Sequence, residues 1–313
     1  MSAPTSHGHP DDAELGPPET VEVGDGLFAY VQPDGSWWIN NTGFLVDDDR
    51  VVAIDTCSTE RRTRGFLEAI AAVTPRPVRT LINTHHHGDH TNGNSLVAGE
   101  ATIIGHHVTR DEVLRTRIGG LDAVFGPVEW GELTPAAPTV TFSERLDVHV
   151  AGRRVELIHF PDPAHTRSDV VAWLAEERVL YAGDLVFNGG TPFVVMGSVA
   201  GSLAAVRELR TLHPQVIVPG HGGVCGIEVL DRVEAYLGFV SELAASAKAA
   251  GESPLDAARQ ADLGEFASLL DPERIVGNLH RAYAELDGRE PDVLAAFGDM
   301  IAYNGGKPLR CLA

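Results

Sequence analysis

At 313 residues the chain can form one large domain or a domain with an appendage, and its 24 Lys and Arg against 44 Asp and Glu give a formal net charge of -20. A balance that acidic excludes a general binder of nucleic acid or of an anionic membrane surface. Three scattered cysteines, Cys57, Cys225 and Cys311, exclude a disulfide framework; with no apolar h-region in the first twenty residues and no run of membrane-spanning length, a cytoplasmic protein is expected.

Residues 1–20, rich in Pro, Gly, His and acidic side chains, read as a disordered tail in which His7 and His9 are solvated bystanders. From residue 21, strand-like runs over 27–30, 37–41, 43–46 and 51–55, broken by Asp-Gly and Asp-rich turns, predict an antiparallel meander. Phe66, Leu67, Ile70 and Val73 then fall at helical spacing over 59–73, with Arg61, Arg62 and Arg64 on a solvated face. Residues 80–83 form a short buried strand, followed by a short helix near 96–97, a strand over 102–105 and a helix over 108–118. The Gly- and Pro-rich stretch 119–138 carries Phe125, Val128, Trp130 and Leu133, as expected of a wall over a site or of a plug beneath a loop.

Further strands over 148–150, 155–160, 170–174 and 179–182, a helix over 203–212 and a strand over 216–218 complete an alternation of strands and helices that implies an α/β sandwich. From 228 to about 250, Val229, Leu230, Val233, Tyr236, Leu237, Val240 and Leu243 trace a long amphipathic helix, and 254–260, 266–270, 275–286 and 293–303 are helical in pattern. The division is therefore a tail over 1–20, a sandwich over 21–227 and a helical extension over 228–313 packed on it, serving as substrate surface, as simple packing or as the interface of a homo-oligomer.

The chemistry begins at Thr84-His85-His86-His87-Gly88-Asp89-His90, directly after the strand over 80–83. His85 and His87 are two apart, so in extended backbone both reach one ion; Asp89 and His90, beyond the turn that Gly88 permits, face a second. Imidazole and carboxylate donors suit zinc, and also iron or manganese.

This His-x-His-x-Asp-His segment resembles the signature of the metallo-β-lactamase superfamily, whose αββα fold, with a C-terminal helical extension, becomes the expectation. Three later positions match its other motifs in order: His165 within Pro163-Ala164-His165-Thr166, Asp184 within Gly183-Asp184, and His221 within Pro219-Gly220-His221-Gly222, each expected just beyond a strand end. The resemblance makes His85, His87 and His165 the ligands of one zinc and Asp89, His90 and His221 those of another, with Asp184 bridging both. Asp89 and Asp184 are then the catalytic carboxylates, Asp89 also orienting the nucleophile. It offers Asp55 as a support behind the ligands, although Asp55 equally reads as an N-cap, a role open to Ser58 or Thr59 as well. His86 should point away, and His106, His107, His149, His159, His213 and His280 lie outside the motifs.

Two cations sharing a carboxylate lower the pKa of a water and polarise a carbonyl, so cleavage of an ester, thioester, lactone or amide needs no serine or cysteine nucleophile. An aspartate at the bridging position is similar to the thioesterase and glyoxalase-II branch, and the histidine at position 87 argues against a flavodiiron oxidoreductase, which would place a glutamate there. A mononuclear-iron sulfur oxygenase and a non-catalytic scaffold are the remaining alternatives. The runs Thr191-Pro192-Phe193, Gly197 to Leu203, Asp262-Leu263-Gly264, Asn278 to Ala282, Ala302 to Gly306 and Cys311-Leu312-Ala313 resemble the metallo-β-lactamase-fold cyclases of aromatic type II polyketide pathways, from about residue 21 to the end. That resemblance implies aldol-type closure of a second ring on a polyketide held by an acyl carrier protein, coupled to thioester hydrolysis, as an antibiotic-biosynthesis step. An acidic carrier would need a local basic patch, for which Arg61, Arg62 and Arg64 or Arg153 and Arg154 are the candidates.

Overall fold

The computed structural model describes residues 15–313, and the tail expected over 1–20, with His7 and His9, lies outside the described residues as far as residue 14. Glu19 and Thr20, also assigned to that tail, instead open the first strand. Seven strands form one sheet in sequence order: β1 (Glu19–Gly24), β2 (Leu27–Val31), β3 (Thr42–Val46), β4 (Val51–Ile54), β5 (Val78–Ile82), β6 (Thr102–His106) and β7 (Val140–Phe142). The first four pair antiparallel, β2 and β3 across the loop 32–41 and the others through short turns, and β4 to β7 pair in parallel. Between them run α1 (Glu60–Val73), the one-turn α2 (Gly88–Thr91), α3 (His107–Arg115) and the one-turn α4 (Asp122–Phe125).

A second sheet is ordered β12-β11-β10-β9-β8, from β8 (Arg145–Val150), β9 (Arg153–His159), β10 (Val170–Leu174), β11 (Val179–Asn188) and β12 (Val216–Gly222). α5 (Val199–Thr211) crosses between β11 and β12, its N-terminus capped by the Ser198 hydroxyl, and the chain ends in α6 (Val229–Ala249), α7 (Pro254–Gln260), α8 (Arg274–Leu286) and α9 (Val293–Tyr303).

Three apolar layers separate these elements, as the period-2 alternation of the strands demands. Leu27, Val52, Ile82, Leu157, Ala172 and Tyr181 fill the space between the sheets. Phe44, Ala53 and Leu81 pack outward against Phe66 and Ile70 of α1. The outer face of the second sheet, with Ile158, Val171 and Leu180, joins α5, α6 and α8 in the largest cluster. β10 is consequently buried along its whole length, and its sequence Val-Val-Ala-Trp-Leu is a continuous apolar run. Between the sheets, Gly43 faces the ring of Tyr181, which a Cβ there would overlap, and the Tyr181 hydroxyl donates to Phe28 O at 3.1 Å. No helix of the described residues is long and apolar enough to cross a membrane.

Several expected elements differ. Residues 37–41 are not a strand but an irregular loop, in which Trp38 takes a left-handed φ of 67°; the two tryptophans that suggest a strand turn toward the site instead. β11 and β12 run well past residues 182 and 218, so Asp184 and His221 sit within strands and not beyond their ends. The stretch 119–138 is irregular apart from α4, while 92–96 and 264–268 form 3-10 turns where short α-helices were expected.

Leu157 is fully buried between the sheets. Leu157→Ala should lower the unfolding free energy by about 2–5 kcal/mol, read as a shift of the urea midpoint.

Candidate metal centre

β5 delivers the segment 83–87 to the edge of the sandwich, and Asp89 and His90 follow on α2. His165 comes from the β9–β10 loop, which the Asp169 carboxylate fixes by accepting from the Thr166 amide at 2.8 Å and the Thr166 hydroxyl at 2.6 Å. Asp184 and His221 come from neighbouring strands β11 and β12. Gly220 makes room for this: a Cβ there would overlap the Asp184 carboxylate.

The seven side chains form two groups sharing one carboxylate. His85, His87, His165 and Asp184 make one; Asp89, His90, Asp184 and His221 make the other, each with its donor atoms within 4.8 Å of one another. Both groups could hold a cation. Hydrogen bonds on the far side of the rings fix which nitrogen faces inward. His90 Nδ1 donates to Asp55 at 2.8 Å, and His165 Nδ1 donates to the Phe193 carbonyl at 2.5 Å. Thr84 donates its hydroxyl to Asp55 at 2.7 Å and accepts from His85 Nδ1 at 3.1 Å. The Nε2 atoms of His85, His90 and His165 therefore turn lone pairs inward.

Those lone pairs meet other acceptors. His90 Nε2 stands 3.1 Å from Asp184 Oδ1, His165 Nε2 stands 3.3 Å from Asp184 Oδ2 and 2.8 Å from His87 Nδ1, and His221 Nε2 lies 3.3 Å from both Asp89 and Asp184. His85 Nε2, His90 Nε2 and Asp184 Oδ1 are buried without a hydrogen-bond partner. Inward acceptors with no donor between them fit cations, and the nitrogen and carboxylate donors suit zinc.

The carboxylates draw positive charge to the same place, where a proton on His90 or His221 competes with a cation. Burial opposes a charge on His90, yet Asp184, Asp89 and Asp55 hold its pKa well above the usual imidazole value; His221, also buried, is raised to about 9 by Asp184 and Asp89. Burial and the neighbouring His90 push His85 well below. Burial works against both carboxylates, but His90 and His221 bring Asp89 down to about 2, and His221, His90 and His165 hold Asp184 well below its usual range. The pocket is thus built for two carboxylates that stay ionised among positive charge.

The structure places Asp55 behind His85 and His90. Its carboxylate accepts from the Thr84 amide at 2.8 Å as well as from Thr84 Oγ1 and His90, while Thr59 caps α1. His86 turns away to Ser168 at 3.0 Å, His106 stacks on His159 at 3.8 Å, and His280 pairs with Asp299; none of them enters either group.

Beside the cluster opens a cavity of about 260 Å³, with Asp89, Asp184 and His221 in its wall and Trp37, Trp38, Phe125, Phe193 and Phe297 around it. Trp37 meets Phe193 and Phe125 edge-on at 4.8 and 5.3 Å, and Trp38 meets Trp130 at 4.8 Å. The 119–138 stretch thus supplies Phe125 directly and Trp130 as its buttress, whereas Val128 and Leu133 do not line the cavity. Trp37, Trp38, Phe187, Phe193, Phe297 and Arg274 were not legible as site residues. The first two sit in a run that mimics a strand, Phe297 falls at a core position of a helix, and nothing local marks Arg274.

Residues 35–221 match the family model described as the metallo-beta-lactamase superfamily. The chain is 33% identical over 177 residues to the 2,4-dinitroanisole O-demethylase subunit alpha of Nocardioides sp. (strain JS1661), covering 56% of this chain and 50% of that protein. It is 28% identical over 282 residues to a hydroxyacylglutathione hydrolase of Polaromonas sp., covering 83% and 92%. The chain spans about half the length of several of the curated relatives it matches. Among solved structures, a metallo-beta-lactamase from Pontibacter korlensis superposes with a TM-score of 0.59 at 20% identity, covering 71% of this chain and 99% of that one, a likeness of fold.

Because Asp55 orients His90 directly and His85 through Thr84, Asp55→Asn should weaken zinc affinity by roughly 10- to 100-fold, measured by competition with a chromophoric chelator. An unchanged affinity would show that the ligands hold their orientation without it.

Proposed function

The chain belongs to the metallo-beta-lactamase superfamily, and on that premise we propose that it is a zinc-dependent hydrolase with two ions per chain, acting on a thioester or ester whose acyl group is flat and aromatic. The observation that carries this reading is the ring of aromatic side chains opening directly onto the imidazole and carboxylate cluster. His85, His87 and His165 would hold one ion, Asp89, His90 and His221 the other, and Asp184 would bridge them. When bound, such a pair supplies Lewis acidity toward a carbonyl oxygen and a water of lowered pKa.

The chain's own residues do the rest. Asp89, in the cavity wall and held ionised, is placed to accept a hydrogen bond from the attacking water and so to orient it. Trp37, Phe125 and Phe193 take the planar acyl group edge-to-face and keep bulk water from it, which strengthens every electrostatic interaction at the reacting carbonyl.

The more specific form of this proposal is a polyketide cyclase/thioesterase that closes a ring by aldol-type condensation on a carrier-bound aromatic polyketide and then hydrolyses the thioester. The aromatic cavity supports it. The candidate docking arginines do so less, since Arg64 pairs with Glu60, Arg153 with Glu177 and Asp25, and Arg154 with Glu156. A second reading, hydrolysis of a small thioester, is favoured by the extended match to the hydroxyacylglutathione hydrolase of Polaromonas sp..

Elemental analysis, paired with turnover of thiol esters by the intact protein and by Asp184→Ala, tests these readings. About two zinc ions per chain, hydrolysis of an aromatic thiol ester in preference to a hydroxyacylglutathione, and loss of both zinc and turnover in the variant are expected. Release of a bicyclic product from a monocyclic polyketide mimic would establish ring closure. A preference for the glutathione ester would favour the second reading, and one iron per chain with oxygen consumption would overturn the hydrolase.

A further inference from the structure

The inward-facing histidines are not all held in the same way. His85, His90 and His165 each have a hydrogen bond on Nδ1, with Thr84, Asp55 and the Phe193 carbonyl respectively. His221 has none: its Nδ1 is buried and without a partner. Its ring lies instead against Phe187, with centroids 5.1 Å apart and planes within 7° of parallel.

We propose that Phe187 is the positioning residue for His221, and that Arg274 of α8 backs Phe187, so the C-terminal helices reach the second cation position through stacked planar groups. The backbone makes this arrangement specific. β11 and β12 run in parallel with register shifts between Tyr181 and Gly183 and between Gly183 and Phe187, after which Phe187 and His221 are direct cross-strand partners. Neighbouring side chains in such a pair project to the same face of the sheet, and here the two flat rings lie stacked.

Arg274 completes the stack. Its guanidinium carbon stands 5.4 Å from the Phe187 ring centroid and 4.1 Å from that of Trp37, and the side chain is almost wholly buried. The head group is held by Asp271 at 2.8 Å and by donation to the Thr191 carbonyl at 3.0 Å, so it cannot swing away from either ring. Trp37 is tied to the same helix start, its indole donating to Glu273 at 2.7 Å. A ligand imidazole without a hydrogen bond on its far nitrogen is free to turn about its ring torsion unless packing stops it. Here packing against Phe187 is the restraint.

The inference rests on His221 being a ligand of the second ion, and its test separates the two ideas. Zinc is titrated into the metal-free full-length protein against a chromophoric chelator, and Co²⁺ is used as a spectroscopic probe of the second equivalent. In Phe187→Leu, the first equivalent should keep its affinity within about twofold while the second weakens by roughly 10-fold, with an altered Co²⁺ ligand-field spectrum. Phe187→Tyr keeps a flat ring and should restore the wild-type values. Should Phe187→Leu fail to fold, Phe187→Met, which keeps volume but not planarity, should show the same selective loss. Two equivalents with unchanged affinities and spectrum in the leucine or methionine variant would overturn the positioning role alone. A wild-type chain that takes up no second equivalent would overturn both this role and the two-ion reading.

Discussion

Asp55 is a carboxylate removed from water and surrounded by donors, and the geometry of the site depends on it. It leaves β4 in the left-handed region, with φ of 60°, a conformation that Asp tolerates better than most residues. From there it accepts three hydrogen bonds, two from Thr84 and one from His90. Burying an ionised carboxylate costs several kcal/mol unless it is paired and hydrogen-bonded, so the three donors are the condition for its being there at all. In return it couples the end of β4 to the loop beyond β5, and it settles the tautomer of His90 directly and that of His85 through the Thr84 hydroxyl.

The rest of the site follows from how closely two strands can approach. Asp184 sits inside β11, and its neighbour β12 passes with Gly220 opposite, where any side chain would displace the carboxylate. Gly222, immediately after His221, meets the same constraint, since a Cβ there would run into the Asn188 carbonyl. The carboxylate shared by both groups is therefore held by backbone packing in the sheet, and most of the imidazoles arrive around it from loops. A rigid strand supplies the common member and the connections between strands supply most of the others, which is the arrangement that keeps the two groups of donors at a fixed separation.

The metal-binding half of this was legible in the sequence because its signals are local. Four potential ligands lie within six residues shortly after a buried strand, and His165, Asp184 and His221 each stand in short Gly- or Pro-flanked motifs next to strongly apolar runs. Even so, Asp184 and His221 were expected past strand ends, since a glycine beside a polar residue reads as the end of a strand, whereas β11 and β12 accommodate both by register shifts. The aromatic half was largely illegible. Trp37 touches Phe193, Phe125 and Arg274, partners between 88 and 237 positions away by number, and no local periodicity encodes such a meeting. Trp37-Trp38-Ile39 has the composition of a strand, but pairing on the sheet passes directly from β2 to β3, leaving these residues free to turn inward.

The metal cluster comes from one stretch of the chain, whereas the aromatic cavity also draws on the helices beyond it, and this bears on what can vary. Every member of the metal cluster, together with Asp55 and Thr84, falls within the stretch matched by the family model, residues 35–221. Arg274, Glu273 and Phe297 do not; they belong to the helices that follow, yet they brace Trp37 and close the aromatic cavity. A change in those helices would reshape the aromatic cavity while leaving the hydrogen bonds around Asp55 untouched. The metal cluster and the outer brace of the cavity are thus physically separate except at one place. Phe187 faces both His221 of β12 and Arg274 of α8, so it is the contact through which the C-terminal helices touch the cluster.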